Sequence, residues 1–273
     1  MLLPPCLLRN AGAAAVLLLL VMVDVAWAFG TEISEDNNNN NNKTKTLRWL
    51  EATYVEYEEG NPLSLLLGAS ALAPLVVLVG MATHLIFRRE LSVAFFMLGQ
   101  LMDLVLNKVL KQLYFKEVRP SGTFRTDYGM PSNHSQFMFF FAGYFLLLLL
   151  LRLRLKRHAF LWKSMIAGIL LTAATTVAYA RVHFGHHTER QVIYGGWIGL
   201  LSAGLWFALT EVLMRGAGLH AWMEAWPLCR YFCIKDSSAV EDALWLEYQA
   251  NRWARGLPVD PSVRSSFPSS RRH

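Results

Sequence analysis

Five apolar runs, each close to the length of a bilayer crossing, leave this chain few ways to fold. They lie at Leu63–Phe87, Ser92–Leu110, Ser135–Leu151, Ala159–Ala180 and Val192–Met214. A hydrocarbon core about 30 Å thick is crossed by about 20 residues of α-helix. Core helices of a water-soluble protein can be as apolar, but five in succession argue against that origin. Composition points the same way: 54% of residues are hydrophobic and 17% charged, where a soluble domain carries about 25% charged residues. The predicted fold is therefore all-α, a polytopic transmembrane helix bundle. The second run is interrupted by Gln100, Asp103, Asn107 and Lys108. Spacings of three and four predict that these line one helix face, turned to the protein interior.

Before the runs, residues 1–28 have the layout of a signal peptide or a retained signal anchor. A short basic start precedes the apolar stretch Ala11–Val23, and Ala26-Trp27-Ala28 follows as a small-residue cleavage pattern. Retention would give six spanning helices and cleavage five. Residues 29–52, built around the asparagines from Asn37 to Asn42, form an expected disordered linker with a glycosylation sequon at Asn42-Lys43-Thr44. A membrane domain is expected over 53–215 and an aromatic, amphipathic interfacial segment over 216–255. A disordered Pro/Ser/Arg tail is expected over 256–273.

Basic residues orient the bundle. Arg88 and Arg89 close the first run, and Arg152, Arg154, Lys156 and Arg157 fill the link between the third and fourth. The positive-inside bias places both on the cytosolic side. The loops Lys111–His134 and Arg181–Arg190 then fall on the luminal side, as does whatever follows the N-terminal signal. The net charge of +6 is explained by these membrane-edge positions, and no nucleic-acid motif accompanies it. Three cysteines include no CxxC pair; Cys229 and Cys233, at i and i+4, are expected to stack on one helical face.

The chemistry-bearing residues gather on the luminal side. Arg119-Pro120 lies in the first loop, with Lys111 and Lys116 upstream. Pro131-Ser132-Asn133-His134 stands just before the third run, and Arg181 and His187 bracket the last loop. Arginine forks match phosphate oxygens, and a helix opened by proline offers N–H groups to an anion. Two arginines, a lysine, a serine and two histidines around one membrane-edge cavity suit an anionic substrate. Taken alone, each histidine reads as a solvated loop residue; the spacing from Arg181 is what separates His187 from His183 and His186.

Lys…Arg-Pro, Pro-Ser-x-His and Arg-x5-His, in this order, resemble the three-part signature of the PAP2 phosphatase superfamily. The stretches Tyr54–Tyr57, Phe87–Leu91, Tyr128–Met138 and Gln191–Gly196 resemble the dolichyl diphosphatases within it, and the likeness runs from about Thr53 to about Arg255. The resemblance implies a metal-independent hydrolase of the ER membrane, without cofactor, that turns dolichyl diphosphate into dolichyl phosphate and phosphate. It implies His187 as nucleophile through a phosphohistidine and His134 as general acid. It also implies Lys111, Arg119, Ser132, Asn133 and Arg181 as phosphate-binding residues. The implied partners are the polyprenyl diphosphate lipid and the bilayer, with no nucleic acid; a protein partner is not inferable. The alternatives are a phosphatase for another lipid phosphate and a non-catalytic lipid-phosphate-binding protein.

The chain departs from the superfamily pattern at three places. The superfamily lysine precedes the Arg-Pro arginine by seven positions, which falls here on Gln112, so Lys111 is one residue out of register and Lys116 is the alternative. Ala180 stands where a serine is usual. Gln191 stands in place of the aspartate that orients the nucleophile; if the last helix has begun by His187, i+4 spacing brings its amide oxygen within reach of the imidazole, and Glu189 or Asp127 could supply the carboxylate.

Overall fold

The computed structural model of the protein describes residues 47–50, 55–58, 60–120, 128–152, 159–238, 240 and 242–264. The N-terminal signal, the Asn42 sequon, Asp127, the basic residues 154–157 and the tail beyond 264 lie outside the described residues. Five described helices are long and apolar enough to cross a membrane: Pro62–Arg88, Leu91–Phe115, Asn133–Arg152, Phe160–His183 and Glu189–Met214. They coincide with the five predicted runs, and the chain is a multi-pass membrane protein. The helices are α1 (Pro62–Ala69) and α2 (Ala73–Arg88), joined by a 3₁₀ turn, then α3 (Leu91–Leu110), α4 (Asn133–Leu147), α5 (Ala159–His183) and α6 (Glu189–Phe207). Outside them, Leu47–Leu50 and Val55–Glu58 pair as a small antiparallel hairpin, so the expected linker boundary at 52/53 falls within one structural unit.

Local chemistry starts the first span. Asn61 caps α1, its Oδ1 accepting from the N–H groups of Leu63 and Ser64 at 3.1 and 3.3 Å, and Pro62 takes the first helical position, where no hydrogen bond is lost. At the far end of this span Arg89 adopts the left-handed conformation (φ 54°) and the chain reverses into α3.

α4 is the central helix. Phe137, Met138 and Ala142 pack with Leu78, Leu104 and Val177, while Phe140 and Tyr144 pack with Phe96, Ala203 and Phe207. Phe137, Met138 and Phe140 are thus packing surface rather than lipid-facing. Lipid is as apolar as these side chains, so close fit rather than exclusion of water drives their association. The fit is tightest against α6. A Cβ on Gly195 would stand 2.7 Å from the Ser132 carbonyl oxygen, and one on Gly199 would stand 2.2 Å from that of Gln136. Two glycines four apart let the backbones of α4 and α6 touch.

The predicted polar face of α3 exists in part. Gln100, Asp103 and Asn107 are buried, whereas Lys108 is exposed; it sits one residue, about 100°, beyond Asn107 and leaves the stripe. Gln136 of α4 bridges the stripe: its Nε2 donates to Asp103 Oδ1 at 2.9 Å and its Oε1 accepts from Asn107 Nδ2 at 2.8 Å. Ser202 of α6 donates to the same Asp103 oxygen at 2.7 Å. Asn107 also donates to the Pro131 carbonyl at 3.3 Å. Each buried polar group therefore ties two helices together.

The end of the bundle at 88–91, 152 and 214 is closed by the C-terminal segment. Lys235 bridges the α2–α3 turn by backbone hydrogen bonds, accepting from Leu91 at 2.8 Å and donating to Arg89 at 3.0 Å. Glu90, only 6% exposed, accepts from the N–H and hydroxyl of Ser237 at 3.0 and 2.6 Å. Glu247 pairs with Arg88 and Lys235, both at 2.6 Å. Short helices follow as α7 (Leu219–Ala225) and α8 (Pro227–Tyr231), then α9 (Ala243–Ala254) and α10 (Pro261–Arg264). Two expectations are corrected here. The tail is ordered as far as 264, because Gln249 Oε1 accepts from Asp260 N–H at 3.0 Å and Pro258 O accepts from Arg252 Nε at 2.7 Å. Cys229 and Cys233 do not share a helical face, because α8 ends at Tyr231 and Cys233 turns left-handed (φ 53°).

Candidate active site

At the opposite end of the bundle, helix ends bring the predicted residues together. The two loops are shorter than expected: Lys111–Phe115 continues the α3 span as a π turn, Asn133 and His134 open α4, and Arg181 to His183 end α5. Lys111, Asn133, His134 and Arg181 thus sit on helix termini, while Arg119 and His187 stay in the connecting turns.

His187 is 3% exposed. Its backbone N–H donates to the Arg181 carbonyl at 3.1 Å, folding the 183–188 turn back under α5. His183 is exposed and His186 half-buried, so burial separates the three histidines as the spacing did. Thr188 caps α6 and forms a capping box with Gln191: Thr188 Oγ1 accepts from Gln191 N–H at 3.3 Å, and Gln191 Oε1 accepts from Thr188 N–H at 3.4 Å. The same Oε1 lies 3.0 Å from His187 Nδ1.

The network fixes the imidazole tautomer. Gln191 Nε2 faces two acceptors, the Val118 carbonyl at 3.0 Å and Glu117 Oε1 at 3.2 Å. The amide nitrogen belongs there, so the amide oxygen must face Nδ1. Arg119 Nη1 stands 3.0 Å from His187 Nε2, and a guanidinium only donates. Nδ1 therefore carries the proton and Nε2 presents its lone pair. Burial, then the Arg119 charge, with further contributions from Lys111 and Arg181, pushes the His187 pKa down to about 3, against the opposing Gln191 hydrogen bond. The imidazole is neutral throughout the physiological range.

Gln191 is held from a third side. Gly129 N–H donates to the Glu117 carbonyl at 2.7 Å, bringing positions 117 and 129 together beside the amide, and a Cβ on Gly129 would stand 2.7 Å from Gln191 Oε1. The carboxylate beside Gln191 is accordingly Glu117. Glu189 points to the exposed first turn of α6 and does not fill that place. Sequence reasoning missed Glu117, which lies in a loop without periodicity; the capping-box pattern Thr188-x-x-Gln191 was legible.

Lys111 lies close enough for its charge to act on His187, and it opens the π turn 111–115, which holds one residue more than an α turn. Lys116 is exposed at a left-handed C-cap (φ 42°).

Ser132 joins the site through its backbone, donating to the Gln191 carbonyl at 3.0 Å. It is the N-cap of α4, yet among the described residues its side chain makes no capping bond and its buried Oγ has no hydrogen-bond partner. Asn133 and His134 follow as the first two residues of α4, both half-buried. Arg119, His187 and Gln191 are thus directly bonded. Lys111 and Arg181 act at the range of their charge, and Ser132, Asn133 and His134 share the adjoining helix start. Among the described residues no group of three or more His, Cys, Asp or Glu converges as a metal site. The assembly is a buried neutral imidazole among three cationic side chains and a helix N-terminus, suited to an anion.

The sequence matches the profile described as "PAP2 superfamily" over residues 70–215. Dolichyldiphosphatase 1 of Rhinolophus ferrumequinum is 40% identical over 208 residues, 73% of this chain and 86% of that protein. The dolichyldiphosphatase of Saccharomyces cerevisiae is 32% identical over 211 residues, 74% of this chain and 87% of that protein. Among solved structures, a transmembrane PAP2 type phosphatidylglycerolphosphate phosphatase from Bacillus subtilis aligns with a TM-score of 0.46 and 25% identity, covering 56% of this chain and 79% of that one.

Proposed function

This chain belongs to the PAP2 superfamily, and from that premise we propose that it hydrolyses dolichyl diphosphate to dolichyl phosphate and inorganic phosphate at the luminal face of the ER membrane. The observation that carries the proposal is the His187 lone pair, held free of its proton by Gln191 and set beside Arg119. The substrate class is supported by the two curated relatives above, both of which carry the name dolichyldiphosphatase. The orientation is supported by the basic residues Arg88, Arg89 and Arg152 at the end away from the site.

In the first step His187 Nε2 attacks the terminal phosphorus. The bond to the bridging oxygen breaks, and dolichyl phosphate leaves after taking a proton from His134. The phosphoryl group is then on His187, and the Nδ1 proton remains on the Gln191 amide oxygen side. In the second step water attacks that phosphorus, giving its proton to His134; the N–P bond breaks, and phosphate and free His187 are regenerated. One hard displacement becomes two easier ones. Arg119, Arg181 and Lys111 stabilise the charge spread over the equatorial oxygens, and Ser132 and Asn133 donate from the start of α4. The polyprenyl tail stays in lipid throughout.

The deciding assay is phosphate release from dolichyl diphosphate by purified wild type and His187→Ala in EDTA, beside phosphatidate as competitor substrate. Turnover of dolichyl diphosphate that vanishes in the variant is the expected result. Preference for phosphatidate would reassign the substrate, and turnover surviving in His187→Ala would overturn the mechanism.

A further inference from the structure

We infer that Glu117 is the positioning carboxylate of the site, acting on His187 through the Gln191 amide; the inference rests on the phosphatase reading above. Gln191 replaces a carboxylate next to the imidazole, and an amide alone leaves two questions open: which way it faces, and where negative charge comes from when the imidazole gains positive character. Glu117 answers both. Its Oε1 takes one Gln191 Nε2 hydrogen at 3.2 Å while the Val118 carbonyl takes the other at 3.0 Å. With both amide hydrogens committed, Oε1 can only face His187 Nδ1, at 3.0 Å. A flipped amide would set its oxygen against two acceptors and its nitrogen against a donor. The carboxylate is thus one amide removed from the imidazole, an Asp–His arrangement with a polarisable spacer.

The Glu117 backbone carbonyl takes the Gly129 N–H at 2.7 Å, so main chain joins positions 117 and 129 independently of the carboxylate. Removing the charge is therefore expected to slow chemistry and spare binding.

The test compares wild type, Glu117→Ala, Glu117→Gln, Glu117→Asp, Gln191→Glu and the double variant Gln191→Glu/Glu117→Gln, all detergent-purified. Loss of an orienting partner predicts a kcat about 10- to 100-fold lower in Glu117→Ala and Glu117→Gln, with KM within about twofold. Glu117→Asp should recover part of the loss. Gln191→Glu sets two carboxylates together and should be nearly inactive, and the double variant, which exchanges amide and carboxylate, should exceed it at least about tenfold by coupling. Wild-type kcat in Glu117→Gln, or a double variant no better than Gln191→Glu, would overturn the inference. Nitrogen-15 histidine NMR supplies a readout independent of turnover. His187 should be the Nδ1–H tautomer in wild type and a mixture in Glu117→Ala; an unchanged tautomer counts against Glu117 even if the substrate assignment fails.

Discussion

Gly129 leaves room for Gln191: the nearest atom to a Cβ at position 129 would be Gln191 Oε1, at 2.7 Å. That atom is the end of a flexible side chain, so a methyl there displaces the amide rather than the backbone. Gly129→Ala should lower kcat about tenfold or more by moving the atom that holds Nδ1, while thermal stability in detergent falls by only a few degrees. Steady-state kinetics beside a melting curve check both halves.

The depressed pKa of His187 also makes a stability prediction. In the unfolded chain a histidine titrates near 6.5, and in the fold His187 titrates at about 3. The folded state therefore binds the proton less readily. The stability contribution is complete above about pH 6.5 and is lost as pH falls from there toward 3. At pH 5 the linkage amounts to about 2 kcal/mol. His187→Ala has no such penalty, so its melting temperature should fall less between pH 7.5 and 5 than that of wild type. Parallel acid titrations of the two proteins would expose the difference.

At the far end of the bundle, two carboxylates that look alike should behave differently. Glu90 is buried and takes both donors of Ser237, so Glu90→Ala leaves buried donors unpaired and should cost about 2–3 kcal/mol. Glu247 and Arg88 are each about a third exposed (38% and 33%), and Glu247→Gln should cost less than about 1 kcal/mol. Limited proteolysis should release the segment after 215 from the first variant and leave the second intact.

The glycines of α6 make an internal control. A Cβ on Gly199 would run into backbone, the Gln136 carbonyl oxygen at 2.2 Å, whereas one on Gly204 meets nothing within 4 Å. Gly199→Ala should prevent α4 and α6 from closing and abolish monodisperse purification. Gly204→Ala should be neutral or slightly stabilising, since it removes backbone freedom in a helix. Size-exclusion profiles of the two variants read the contrast directly.

How much was legible in the sequence depended on distance along the chain. The five spans could be read because each is one continuous apolar run, although their ends moved: the α3 span gained Lys111–Phe115 and the loops shrank. His187, Arg181 and Gln191 could be associated because they lie within a turn or two of one another. Glu117 could not, since its approach to Gln191 spans 74 residues and depends on a loop closed by Gly129. The closure of Ser237 on Glu90, 147 residues away, left no periodic trace either. Lys108 misled by proximity: it neighbours Asn107 in sequence but looks outward.

The π turn at Lys111–Phe115 separates two ways of counting. Along the chain, Lys111 and Arg119 stand eight residues apart instead of seven; along the helix, a π turn uses one residue more than an α turn, so an interval in residues and a place on the helix face are different quantities. A search that fixes the interval would discard such chains, and one that fixes the lysine's face would keep them. An inserted residue can thus be silent to the ligand while being conspicuous in the text.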